Sequence, residues 1–179
     1  MNNYQAKGGI KFTIRQPIES DAEGIIHFAK VLFPSTDQVV TTPEEFTMTV
    51  EQEQAWIRSS AQNPDSIILI AEADNVIVGL LSLAAHAKKK FAHTGEFGVS
   101  VHPNYQGMGI GRKLVETLLE WAKGNAHIEK VFLNVFHTNQ KAIELYRSLG
   151  FIEEGRHIKA AKQPSGEYVD VIQMYVETK

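Results

Sequence analysis

Between Tyr105 and Leu114 the chain reads YQGMGIGRKL, with glycines at 107, 109 and 111 set between a strand-like run and a helix-like one. Glycine in an ordered segment costs roughly 0.5–1 kcal/mol relative to alanine. Three at alternate positions therefore mark a tight turn, a close packing contact, or a ligand lying against the main chain. Upstream, TGEFGVSV reads as a strand. Downstream, IGRKLVETLLEWAKG puts Ile110, Leu114, Leu118 and Trp121 or Ala122 on one stripe, with Gly124 placed to end the helix. The first N–H groups of such a helix have no partner within it and carry partial positive charge. Bare glycines let an anion approach them, a phosphate or pyrophosphate above all. Arg112 and Lys113 add charge nearby.

The rest of the chain alternates strands and helices. KFTIRQ reads as a strand, and SDAEGIIHFAKVLF as a helix that Ser20 or Asp21 can cap. PSTDQVVTTP is a loop, and a short helix begins around Pro43. Another starts at Thr49, with Gln52 three residues on as in a capping box, and runs to about Gln62 before Asn63-Pro64 breaks it. SIILIAEA and VIVGLLSLAAH flank Asp74-Asn75, a hairpin turn signal. KVFLNVF is a strand, and NQKAIELYRSLG a helix with Ala142, Leu145, Tyr146 and Leu149 facing inward. FIEEGRH and YVDVIQMYV close the chain as strands. Met1 to Gly9 is polar and glycine-ended and reads as a flexible tail, which leaves residues 10–179 as one α/β domain on a mixed sheet.

Composition narrows the class. A net charge of -3 shows no basic excess of the kind nucleic-acid binders carry. No apolar run approaches the ~20 residues of a membrane span, and the start has no signal-peptide core. With no cysteine there is no disulfide or thiolate metal site. The seven histidines show no metal spacing; His86, His93, His102 and His137 read as surface or cleft polar groups. A cytoplasmic protein without metal, nucleic acid or membrane partner is expected.

Three phosphate motifs compete for the glycine loop. A P-loop fails because Leu114 stands where a hydroxyl is needed. A dinucleotide fingerprint beginning at Gly107 and Gly109 puts its third glycine on Arg112 and fails too. The third pattern, [Gln/Arg]-x-x-Gly-x-[Gly/Ala], is met by Gln106, Gly109 and Gly111. Here the chain resembles the GNAT N-acetyltransferase superfamily. GVSVHPNYQGMGIGRKL is similar to the family's strand, loop and helix. NQKAIELYRSLGF matches Asn-x-x-Ala-x-x-x-Tyr-x-x-x-Gly-Phe through Asn139, Ala142, Tyr146, Gly150 and Phe151. The good match covers roughly Thr94 to Phe151, and the first 65 residues match only in layout.

The resemblance implies a single GNAT-type domain, a twisted mixed β-sheet with a central splay between the Val99 and Lys130 strands, flanked by helices. It implies acetyl transfer from acetyl-CoA to a primary amine, by direct attack in a ternary complex. The alternatives are a CoA-binding regulatory module without turnover and transfer of a longer acyl group. Coenzyme contacts are implied for the backbone of Gln106, Gly107, Met108, Gly109, Ile110, Gly111 and Arg112 at the pyrophosphate. They are also implied for Val99, Ser100 and Val101 along the pantetheine arm, and for Asn139. Asn139 also suits a helix N-cap. It lies seven residues, nearly two turns, before Tyr146, so both point to one side. Tyr146 is a core tyrosine or, as the resemblance implies, the group that assists the leaving thiolate. Some family members carry a glutamate where Asn134 stands, so Glu96 is the best remaining carboxylate for a general base, with a water chain as the alternative. Lys88 to Lys90 suit a solvated loop or a contact to the coenzyme's 3′-phosphate. Tyr168 and Asp170 are candidates for the acceptor side, as is FPSTDQVVTTPEEF. A homodimer is compatible with the sequence, though no residue argues for it.

Overall fold

The computed structural model describes residues 2–179. Its strands are β1 (Asn2–Gln5), β2 (Lys11–Arg15), β3 (Ser66–Ala73), β4 (Val76–Ala85), β5 (Thr94–Val101), β6 (Lys130–Phe136), β7 (Ile152–Lys162) and β8 (Tyr168–Glu177). Its helices are α1 (Ala22–Leu32), α2 (Val50–Gln62), α3 (Ile110–Gly124) and α4 (Gln140–Ser148). The strands form one sheet in the order β1-β2-β3-β4-β5-β6-β8-β7. Every neighbouring pair is antiparallel except β5 and β6.

Helices cover both faces. Ile110, Leu114 and Leu118 of α3 and Ile143 of α4 pack with Leu81, Leu83, Phe97 and Leu133 in one core. On the other face, Ile25, Phe28 and Leu32 of α1 and Ile57 of α2 close over Ile70 and Ile77. The unbroken apolar run of β3 is thereby buried on both sides. Full burial of each such side chain contributes roughly 1.5–3 kcal/mol.

The sheet is incomplete at its middle. β5 and β6 pair only through Thr94–Lys130, Gly95–Val131 and Glu96–Phe132, whereas β5 stays paired with β4 as far as Val101. From Phe97 onward β5 leaves β6, and this is the expected splay between the Val99 and Lys130 strands.

Local chemistry explains where the elements begin and end. The Asp74-Asn75 turn has positive φ at both residues (50° and 62°), as a two-residue hairpin needs. At α2, Thr49 Oγ1 accepts from Gln52 N–H (3.3 Å) and Gln52 Oε1 accepts from Thr49 N–H (2.9 Å), so the capping box forms. Asp21 does not cap α1 through its side chain. Its carboxylate accepts from Ile18 N–H (2.7 Å) and from both terminal nitrogens of Arg15 (2.7 and 2.8 Å). Arg15 also reaches Glu72 of β3, so the acid is spent on joining β2, β3 and the entry to α1. Around Pro43 the chain makes a turn, not the short helix expected there.

The N-terminal segment departs from the flexible tail expected over residues 1–9. Met1 lies outside the described residues. Asn2–Gln5 form β1, and Gly8 and Gly9, with φ of 88° and 84°, turn the chain into β2. Tyr4 packs on Phe12 with ring centroids 5.5 Å apart, and Ala6 is buried. The glycines that suggested the end of a tail are the hairpin's turn. A four-residue polar strand has too little periodicity to show itself by sequence alone.

One buried group works against the fold. Glu53 of α2 is only 3% exposed, and its Oε1 has no hydrogen-bond partner among the described residues. Burial pushes its carboxyl pKa up. Because the folded form holds the proton more tightly, stability falls as pH rises from the unfolded pKa through the folded one. Glu53→Met is expected to raise stability near pH 7 by about 1–3 kcal/mol, the usual penalty of an unpaired buried polar group. The gain should shrink toward pH 4. Denaturant melts of both proteins at the two pH values check this; equal stability at both would show that water reaches the carboxylate.

Candidate active site

Above the divergence of β5 from β6, the face carrying α3 and α4 opens into a cavity of about 500 Å³. Three elements supply its principal walls. Val99 and Val101 come from β5, the loop and first turn from Gln106 to Arg112 come next, and Asn139, Ala142, Leu145 and Tyr146 come from α4 and its cap.

The end of β5 offers unpaired backbone to this cavity. His102 N–H donates to Val78 C=O (2.9 Å), and Ser100 stands opposite Leu80. Antiparallel residues alternate between bonding to the partner strand and facing away. Ser100 and His102 therefore spend their groups on β4, while Val99 and Val101 turn theirs toward the gap. Gln106 Nε2 takes up the Val101 carbonyl at 3.1 Å and ties the loop to the strand. The same alternation sends the Ser100 side chain to the opposite face, so Ser100 does not line the cavity with its neighbours.

Gly107 and Gly109 have φ of 76° and 93°, a region that disfavours side-chain-bearing residues, and Gly109 is the N-cap of α3. A Cβ at either would meet nothing within 4 Å. The turn, not crowding, requires glycine at these two positions. Gly111 lies within the helix, and a Cβ there would stand 3.4 Å from Val101 Cγ2, an ordinary contact. Ile110 is fully buried beneath the loop. Met108 does not line this cavity: it packs against the N-terminal hairpin with Tyr4 and Phe12, and its C=O accepts from Lys7 N–H at 3.0 Å. Arg112 lines the cavity and donates to Ser148 Oγ (2.7 Å).

Asn139 caps α4, its Oδ1 accepting from Ala142 N–H at 3.3 Å, and lines the same cavity as Tyr146. Tyr146 is 7% exposed and stands edge-on to Phe97 and Phe151, with centroids 6.0 and 5.8 Å away. Burial alone pushes its phenol up to about 12, so it is a protonated donor at any working pH.

Glu96 lies on the other face. Side chains alternate along β5, so Glu96 faces away from Phe97, Val99 and Val101. It lines a second cavity of about 490 Å³ with Val40, Ser82, His86 and Asn134. Asn134 Nδ2 donates to Glu96 Oε1 (2.8 Å), bridging β6 and β5 where their pairing ends. Gln38 lines the first cavity and also a pocket of about 70 Å³, whose wall includes Val40 and Asn134 of the second. The loop after α1 thus runs from one cavity to the other. It is pinned by Thr138 Oγ1 to Gln38 Oε1 and by Gln163 Nε2 to Asp37 C=O, both 3.1 Å.

Sequence reasoning missed Lys7 and Lys141 as cavity residues, and named Thr36 and Gln38 only within the segment offered for the acceptor side. Lys141 sits at a variable position inside a recognised block. The others belong to segments that only tertiary folding brings to the site. Asp170 instead holds the β7–β8 hairpin, accepting from Arg156 Nε (2.8 Å) and Lys159 N–H (2.7 Å). Tyr168 is exposed and lines neither cavity.

Known proteins share this arrangement. Residues 33–151 match the sequence model of the Acetyltransferase (GNAT) family. A spermidine N(1)-acetyltransferase of Vibrio cholerae serotype O1 is 29% identical over 127 residues, 70% of this chain and 71% of that one. The L-amino acid N-acetyltransferase AaaT of Escherichia coli is 28% identical over 141 residues, 76% and 86% of the two chains. The crystal structure of a GNAT-family acetyltransferase from Streptococcus pneumoniae superposes with a TM-score of 0.90 at 26% identity, covering 93% of this chain and 99% of that one. A sheet split between two parallel strands, with a glycine loop at the mouth of the gap, is the arrangement of an acetyltransferase fold. The chain belongs to the GNAT family of acetyltransferases.

Proposed function

We propose that the protein moves the acetyl group of acetyl-CoA onto a primary amine, by direct attack with both substrates bound. The observation that carries this reading is the splay itself. It presents the backbone of Val99, the Val101 N–H and the glycine loop to one cavity and a carboxylate, Glu96, to another across the sheet. An extended amide-bearing arm can pair with the β5 backbone as an added strand would. The N–H groups at the start of α3 suit the pyrophosphate. The second cavity carries Glu96 and is lined by no lysine or arginine among the described residues, which suits an ammonium acceptor.

The amine must first lose a proton, which Glu96 accepts directly or through water. Its nitrogen then attacks the thioester carbon, the C–N bond forms, the C–S bond breaks to release thiolate, and the nitrogen gives up its second proton to water, which returns one to the thiolate. Tyr146 donates a hydrogen bond to that sulfur as charge develops. No cysteine exists to carry an acyl group, so a cysteine-linked acyl-enzyme is excluded. The two relatives act on a polyamine and on amino acids, so the acceptor does not carry over from them.

Thiol release from acetyl-CoA across a panel of polyamines, amino acids, aminoglycosides and N-terminal peptides tests the reading. Release with at least one amine, acetylated in equal amount, is expected. Coenzyme binding with no release on any amine would instead make the chain a binding module. Release only from longer acyl-CoA would revise the donor.

A further inference from the structure

The N-terminal hairpin lies outside the stretch that matches the family model, which begins at residue 33. It is nevertheless docked on the coenzyme loop. Lys7 N–H donates to Met108 C=O (3.0 Å), between the two positive-φ glycines. Tyr4 of β1 lies under Lys113 of α3, with Nζ 4.8 Å from the ring centroid. Tyr4, Gln5 and Phe12 share a pocket with Met108, Gly109 and Lys113. These contacts bring Lys7 to the wall of the 500 Å³ cavity, which Gln106 and Gly107 also line.

Charge gives that placement a direction. Among the described residues the lining carries three cations, Lys7, Arg112 and Lys141, and no carboxylate. Lys7 and Lys141 make no ion pair among the described residues. Three cations around one concave surface with no counter-charge attract an anion. An ammonium on a flexible stem is suited to meet phosphate as a point charge.

We propose that Lys7 is a coenzyme-binding residue, which the N-terminal hairpin contributes from outside the family's own motifs, and that its ammonium pairs with a phosphate of coenzyme A. The proposal rests on the acetyl-CoA reading above. The hairpin holds the loop through its main chain and meets the ligand through its side chain. Substitution at Lys7 leaves the Lys7 N–H to Met108 bond available, so side-chain changes test the charge alone.

The experiment is calorimetric titration of wild type, Lys7→Ala and Lys7→Arg with coenzyme A, 3′-dephospho-coenzyme A and pantetheine, at low and high salt. Lys7→Ala is expected to weaken coenzyme A about three- to tenfold at low salt, as a partly exposed ion pair would, and less at high salt. Lys7→Arg should keep most of the affinity, and pantetheine, which has no phosphate, should bind all three alike. A loss shared by coenzyme A and its dephospho form assigns the pyrophosphate; a loss confined to coenzyme A assigns the 3′-phosphate. Unchanged coenzyme A affinity in Lys7→Ala overturns the proposal. So does an equal loss for pantetheine, which would mean that the hairpin's shape matters and not its charge. Failure of the wild type to bind coenzyme A at all would instead strike down the acetyl-CoA reading.

Discussion

Tyr146→Phe is expected to lower kcat by at least ~30-fold while leaving affinity for coenzyme A nearly unchanged, a threshold set below the ~10²–10⁴-fold contribution typical of general acids. The ring stays, so its packing against Phe97 and Phe151 is kept. What is lost is a donor to the departing sulfur, an interaction made in the transition state and barely before it. The buried phenol, held at about 12, fixes the kind of help it gives. Full proton transfer to a thiolate of pKa near ~8.5 would be uphill by about 5 kcal/mol. On the proposed reading, Tyr146 then lends a hydrogen bond without giving up its proton, and the thiolate takes its proton from water. For the same reason, raising pH from 7 to 10 should cost no activity through Tyr146, and kcat should not fall on that account. Near-wild-type kcat in a folded mutant, with chemistry shown to be rate-limiting, would return Tyr146 to the core. A rise confined to the KM of the amine would make it an acceptor contact.

Gly111→Val should weaken coenzyme A by at least about tenfold with little change in melting temperature. Gly111 lines the cavity within the first turn of α3, where valine is no worse a helix former than glycine. Its Cβ fits beside Val101, and on the proposed reading the added methyls crowd the N–H groups that would meet the pyrophosphate. Gly109→Val is a poorer test, since φ of 93° penalises any branched residue and would lower stability and affinity together. Titration of the two variants beside their thermal melts separates the cases. Wild-type affinity in Gly111→Val would leave the glycine run with a turn-making role only.

The sequence revealed those parts of the fold whose causes are local. Ile110–Gly124 shows its apolar stripe and its terminal glycine, and the helix has those bounds. Asp74-Asn75 and the Thr49–Gln52 box are likewise decided by neighbours in the chain. Most of the misses depend on distant partners; the turn at Pro43 and Lys141 of the cavity wall do not. Asp21 looked like a cap because nothing in its helix pattern shows that Arg15, which also binds Glu72 of β3, will claim its carboxylate. β1 exists because Tyr4 finds Phe12 and Met108 accepts from Lys7. In the site, the glycine loop, Asn139 and Tyr146 were visible as spaced motifs. The placement of Glu96 across the sheet, and the run of Gln38 and Val40 between the cavities, emerge only when the sheet is assembled.

The short joint between β5 and β6 bears on how the molecule comes apart. Three residue pairs connect the five-strand half of the sheet to the three-strand half, and the helices must do the rest. This joint is no longer than that between β2 and β3, and it lies where the candidate coenzyme cavity opens. A pantetheine arm laid along Val99 and Val101 would stand in for the strand pairing that the chain leaves out. Ligand and polypeptide would then melt as one cooperative unit, and backbone amides along the open edge of β5 would be the first to gain protection from solvent exchange. Heat resistance in this protein would then be a property of how much acetyl-CoA its surroundings hold.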